Sequence, residues 1–100
     1  MAKNGFVYIV TNKSRSILCT GVAGDLVKRI HELKSGSEPG VAASIRAAEL
    51  VYFETAGNMR SAVAREKHIR ADSRRNKLDL VDAMNPEWRD LSDDISRLLK

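Results

Sequence analysis

One hundred residues, 43% hydrophobic and 30% charged, suit one small globular domain, and with only five aromatics its core must be mainly aliphatic. A net charge of +4 and a pI near 9.5 favour acidic partners. A single cysteine excludes an internal disulfide and a multi-cysteine zinc site, and two histidines are too few for a His/Cys metal cluster. The N-terminal MAKNGFVYIV has too short an apolar run for a signal peptide and no segment can span a bilayer, so a cytoplasmic location is expected.

Phe6 to Thr11 (FVYIVT) is β-branched and aromatic and reads as a strand. Ile17 to Val22 (ILCTGV) reads as a second, and the short polar NKSRS between them favours an antiparallel hairpin. Asp25 caps a helix running to about Lys34, with Leu26, Ile30 and Leu33 as its apolar stripe and Ser35-Gly36 as its stop. Leu50 to Thr55 is a third strand. Asn58 caps a helix through about Arg70, and another covers Arg74 to Ala83, ending before Asn85-Pro86 because the residue before proline resists helical dihedrals. Leu91, Ile95 and Leu98 suggest a short closing helix with Asp93 and Asp94 in its first turn. The order β-β-α-β-α-α, with that closing helix behind it, makes the class α+β. One domain is expected over residues 1–100, with its core at about 5–84 and a C-terminal packing segment at 85–100.

Charge is unevenly placed. Seven basic residues (Arg60, Arg65, Lys67, Arg70, Arg74, Arg75 and Lys77) stand against Glu66 and Asp72 between positions 60 and 77. From Leu78 onward six acids outnumber Arg89, Arg97 and Lys100. Such a block is either a polyanion-facing surface, with nucleic acid the usual partner, or a solvated helix face.

Glu66 is informative from its pattern alone. On a helical wheel it falls between Met59 and Val63, on the apolar side, where a carboxylate is costly unless paired or bound to metal. It is therefore an internal salt bridge, with Arg29 a candidate partner, or a metal ligand. Arg29 flanks the apolar stripe of its helix, and Tyr8 lies mid-strand.

Taken together, FVYIV (6–10), LCTGV (18–22), Asp25-Leu26-x-x-Arg29, LVYFE (50–54), AREKHIR (64–70) and NPEWRDL (85–91) closely resemble the GIY-YIG nuclease family in its small single-domain branch. The resemblance implies a three-stranded antiparallel sheet flanked by helices, and metal-dependent hydrolysis of a DNA phosphodiester, with branched or damaged DNA among the candidate substrates. It assigns Tyr8 to positioning or deprotonating the attacking water, Arg29 to the scissile phosphate, and Glu66 to one divalent cation, Mg²⁺ or Mn²⁺. Lys28, Arg65, Lys67, Arg70, Arg74, Arg75 and Lys77 become the candidate DNA contacts.

Three positions depart from the family pattern. The second signature tyrosine falls at Cys19, whose thiol is too short to reach the same point and reads as filler of strand space. The histidine that many members carry four residues after the helix arginine is Leu33 here, and His31 reads as a surface residue. The aromatic and threonine residues usual in the next loop have become Gly40-Val41-Ala42-Ala43-Ser44-Ile45. Losing a general acid–base partner typically costs ~10² to ~10⁴-fold in rate. The expectation is therefore a weak nuclease, or a catalytically silent nucleic-acid-binding or protein-interaction module on the same fold.

Overall fold

The computed structural model describes residues 4–35 and 49–99. Strands β1 (Gly5–Thr11) and β2 (Leu18–Ala23) are followed by helix α1 (Leu26–Ser35) and strand β3 (Glu49–Ala56). Helices α2 (Met59–Ala71), α3 (Arg74–Met84) and α4 (Ser92–Leu98) complete the order. The strands form one sheet, β2-β1-β3, antiparallel at both pairings. The class is α+β, as expected.

Local chemistry explains the turns and helix starts. In the hairpin, Asn12 Oδ1 accepts the backbone N–H groups of Ser16 at 2.9 Å and Ile17 at 3.1 Å, and Arg15 takes a left-handed φ of 60°. An asparagine side chain thus replaces ladder bonds at the bend. Asp25 Oδ1 accepts the Lys28 N–H at 3.1 Å, Asn58 Oδ1 that of Ser61 at 2.8 Å, and Ser73 Oγ that of Asn76 at 3.1 Å. Each cap satisfies an orphan donor of a first helical turn.

The sheet divides the core in two. Tyr8 and Val10 point towards α1 and α4, packing with Leu26, Ile30, Leu33 and Ile95. Val7 and Ile9 point the other way, towards Ala62 and Ile69 of α2 and Val81 of α3. A bulge sets Ile9 opposite Tyr52 and Val10 opposite Leu50. The extra residue, Val51, lets two successive side chains, Val51 and Tyr52, join the α2–α3 layer. Helix α2 seats directly on β1: a Cβ added at Gly5 would lie 2.6 Å from the Cβ of Ala62.

The segment after α3 closes the outer edge of β3. Asn85 is buried and donates from Nδ2 to the carbonyls of Val51 at 3.1 Å and Arg89 at 2.8 Å. Asp90 Oδ1 accepts the Leu50 N–H at 3.1 Å, and the Leu91 N–H reaches the Leu50 carbonyl at 2.8 Å. Trp88 holds a left-handed φ of 54°, uncommon for a bulky residue. It is fixed there by Nε1–H donation to Asp82 at 2.7 Å and by the Arg15 guanidinium 5.8 Å from its ring centre. Leu91 and Ile95 are buried as the spacing predicts, but Leu98 is 71% exposed, so the closing helix buries less than its pattern suggests.

Candidate functional site

Tyr8 sits at the centre of the α1-facing side of the sheet, opposite Gly21 of β2. Its phenol lies across that glycine, so closely that any Cβ there would overlap it. The phenol oxygen accepts a hydrogen bond from Arg29 Nε of α1 at 3.2 Å. Arg29 Nη1 also stands 3.8 Å from Glu32 Oε1, one turn on. Arg29, Lys28 and Glu32 line a shallow cleft of about 320 Å³ with Val22, Gly24 and Asp25, where β2 passes into α1. Strand, glycine and helix together bring Tyr8 and Arg29 into one hydrogen-bonded pair.

The altered positions have been absorbed by the fold. Cys19 is half-buried and packs against the core cluster that holds Tyr8 and Val10. Burial pushes its thiol above the ordinary value, with Lys77 partly opposing, which disfavours the thiolate. Leu33 is 4% exposed, within the same cluster. His31 is exposed on α1. The 40–45 segment lies outside the described residues.

Glu66 is buried on the side of α2 that carries Ala62 and Ile69. The carboxylate pairs with Arg70 across one helical turn, Nε to Oε2 at 3.5 Å, and not with Arg29. Arg29 is instead committed to Tyr8 and Glu32 on the α1 side. No hydrogen bond or ion pair among the described residues joins Glu66 to Tyr8 or Arg29. Helix α2 packs across both β1 and β2, so all three side chains are borne by the hairpin or by helices seated on it.

A divalent cation at Glu66 would meet few protein donors. Among the described residues no three His, Cys, Asp or Glu side chains cluster, and Glu66 receives no hydrogen bond. One carboxylate whose charge is met only by a loose pair suits a cation that keeps most of its water, as Mg²⁺ does. It does not suit a closed, structural metal site.

The basic residues differ in how they are held. Lys28, Lys67, Arg70, Arg74 and Arg75 are exposed, while Lys77 is half-buried. Arg74 Nη2 donates to the Arg15 carbonyl at 3.3 Å, and Arg75 pairs with Asp79 at 3.5 Å. Arg65 is engaged more fully, with Nε 2.8 Å and Nη2 3.4 Å from the two oxygens of Glu54. Tyr52 O–H donates to the same carboxylate. Burial first, then Glu54, pushes the Tyr52 phenol up to about 12. For Glu54, burial works to raise the carboxyl, but the bonds from Arg65 and Tyr52 outweigh it and hold it below its ordinary value. This three-residue network and the Arg29–Glu32 pair are features that sequence reasoning missed. The i,i+3 spacing of Arg29 and Glu32 could have revealed the second; residues 54 and 65 carry no local signal.

A model of the GIY-YIG catalytic domain matches residues 4–79. A UPF0213 protein of Clostridium perfringens is 37% identical over 76 residues, covering 76% of this chain and 81% of its own length. A UPF0213 protein of Staphylococcus saprophyticus is also 37% identical over 76 residues, covering 76% of this chain and 92% of its own. The solution structure of a UPF0213 protein from Bacillus halodurans superposes with a TM-score of 0.56 at 26% identity, over 87% of this chain and 92% of that one.

Proposed function

The chain belongs to the GIY-YIG catalytic domain family, and from that premise we propose that it binds DNA and hydrolyses phosphodiesters slowly, with a divalent metal. The observation that carries this reading is the Arg29–Tyr8 hydrogen bond at 3.2 Å, seated on Gly21, with Arg29 lining the cleft at the β2–α1 junction. Donation from Nε fixes the plane of the guanidinium, which presents its charge to a phosphate and offsets the negative charge that develops there. Tyr8 accepts that bond and keeps its own O–H to orient the attacking water. Glu66 would hold the cation, which when bound supplies Lewis-acid stabilisation of the phosphate and leaving oxygens. The exposed Lys28, Lys67, Arg70, Arg74 and Arg75 supply the sequence-independent attraction to the DNA backbone. A DNA substrate also fits the cytoplasmic location read from the sequence.

A second reading rests on a specific observation. Cys19 and Leu33 are packed into the α1-side core, so neither gives the proton-transfer group for which its position is known. On that reading the fold is a nucleic-acid-binding module without turnover.

A nicking assay separates the two, using duplex, branched and single-stranded DNA with Mg²⁺ or Mn²⁺. Slow cleavage is expected, with Glu66→Ala abolishing it and Arg29→Ala lowering it by ~10² to ~10³-fold, the usual scale for one preorganised electrostatic donor. Cleavage that survives Glu66→Ala, or its absence in both metals on every substrate, overturns the nuclease reading. DNA binding without cleavage establishes the second.

A further inference from the structure

Arg70 is the one charged partner of Glu66 among the described residues, and it is exposed, within the basic run of residues 60–77. The Glu66 side chain is 8% exposed and that of Arg70 is 62% exposed. The acid is therefore fixed by the fold while the base reaches it from solvent. Glutamate four residues before arginine is a favourable helical spacing. At 3.5 Å, however, the contact is longer than a charge-assisted hydrogen bond, which lies near 2.7–2.9 Å. This is a loose pair with one buried and one solvent-exposed member.

We infer that Arg70 occupies the cation position of Glu66 in the metal-free protein, and that a divalent cation arriving there displaces it towards the DNA backbone. The inference rests on the reading of Glu66 as metal ligand. A second cation on the same carboxylate repels the guanidinium at short range. The released side chain stays on α2 three residues from exposed Lys67, and exposed Arg74 and Arg75 follow at the start of α3. Arg70 is thus a specificity-determining residue that ties metal occupancy to DNA affinity. Because such coupling is reciprocal, bound DNA raises metal affinity by the same factor.

Calorimetry with Mn²⁺ alone, on the full chain, tests the first half. Arg70→Gln is expected to bind Mn²⁺ about two- to fivefold more tightly than the wild type, the scale of a half-exposed ion pair. Glu66→Gln is expected to lose the site. The second half is read from the salt dependence of binding to a short duplex, by fluorescence anisotropy. In the same saturating Mn²⁺, whose own condensation on DNA acts on both proteins alike, the wild-type log–log slope should be steeper than that of Arg70→Gln by about 0.9, one extra phosphate contact, and without metal the two slopes should match. Glu66→Gln, in which nothing holds Arg70, should show the steeper slope without metal. Equal Mn²⁺ affinity in the wild type and Arg70→Gln, with the site lost in Glu66→Gln, overturns the displacement and leaves the metal assignment standing. Equal affinity in the wild type and Glu66→Gln overturns both.

Discussion

A methyl group at position 21 would overlap the Tyr8 phenol, so glycine is required there by the tyrosine and not by the strand. Gly21→Ala should lower stability in urea melts by about 1–3 kcal/mol, the cost of overpacking. In a Tyr8→Leu background most of that cost should vanish, because the clash and its cause lie in one contact. Tyr52 offers a titration at the same scale. Its folded value is raised to about 12, so the stability it brings is whole below the unfolded value near 10 and is lost as pH rises through 12. Tyrosinate absorbance should therefore show Tyr52 ionising late. Glu54→Gln should bring it part of the way back, since burial is the larger cause. The Glu54 value is lowered, so its contribution is present above about pH 4.3 and fades as pH falls through the folded value. At this scale Tyr8 and Arg29 were legible as motif residues, but the hydrogen bond joining them was not, because a sequence does not record which strand face meets which helix.

Among the elements, β2 and α1 carry the family's missing groups, and they tolerate restoration differently. Leu33 is 4% exposed in the α1-side core, whereas Cys19 is half-buried on the edge strand. Leu33→His should cost about 1–3 kcal/mol through an unsatisfied buried ring nitrogen, visible as a lowered urea midpoint. Cys19→Tyr should fold near wild-type stability and raise nicking, so it is the cleaner restoration. Strands and helices were legible because their signals are local: β-branched runs, the Asn58 and Asp25 caps, and the Asn85-Pro86 stop. Leu98 misled because apolar spacing shows which residues share a helical face, not whether that face is covered.

For the molecule as a whole, charge placement should set the salt dependence of DNA binding. Lys67→Ala and Arg75→Ala are each expected to flatten the log–log slope by about 0.9 where the side chain meets a phosphate. Arg65→Ala should instead leave the slope nearly unchanged and lower stability, because its guanidinium is committed to Glu54. Anisotropy and urea melts on the same three variants separate these outcomes. The basic block was legible as a run of charges. The commitment of Arg65 was hidden because its partner lies on β3, eleven residues earlier and in another element. Glu66 was legible as an inward carboxylate, yet its partner is the nearby Arg70 and not the distant Arg29.

The family match ends at residue 79, but the hydrogen bonds that seal the outer strand come from Asn85, Asp90 and Leu91. We expect those residues to guard against self-association, because an open strand edge templates pairing with another chain. Losing those bonds would leave backbone groups of Leu50 and Val51 to a neighbouring molecule. Asp90→Ala, which frees the Leu50 N–H without touching the candidate site, should sediment as oligomers at concentrations where the wild type does not. On that outcome the tail's role is colloidal: it keeps a short sheet from templating copies of itself.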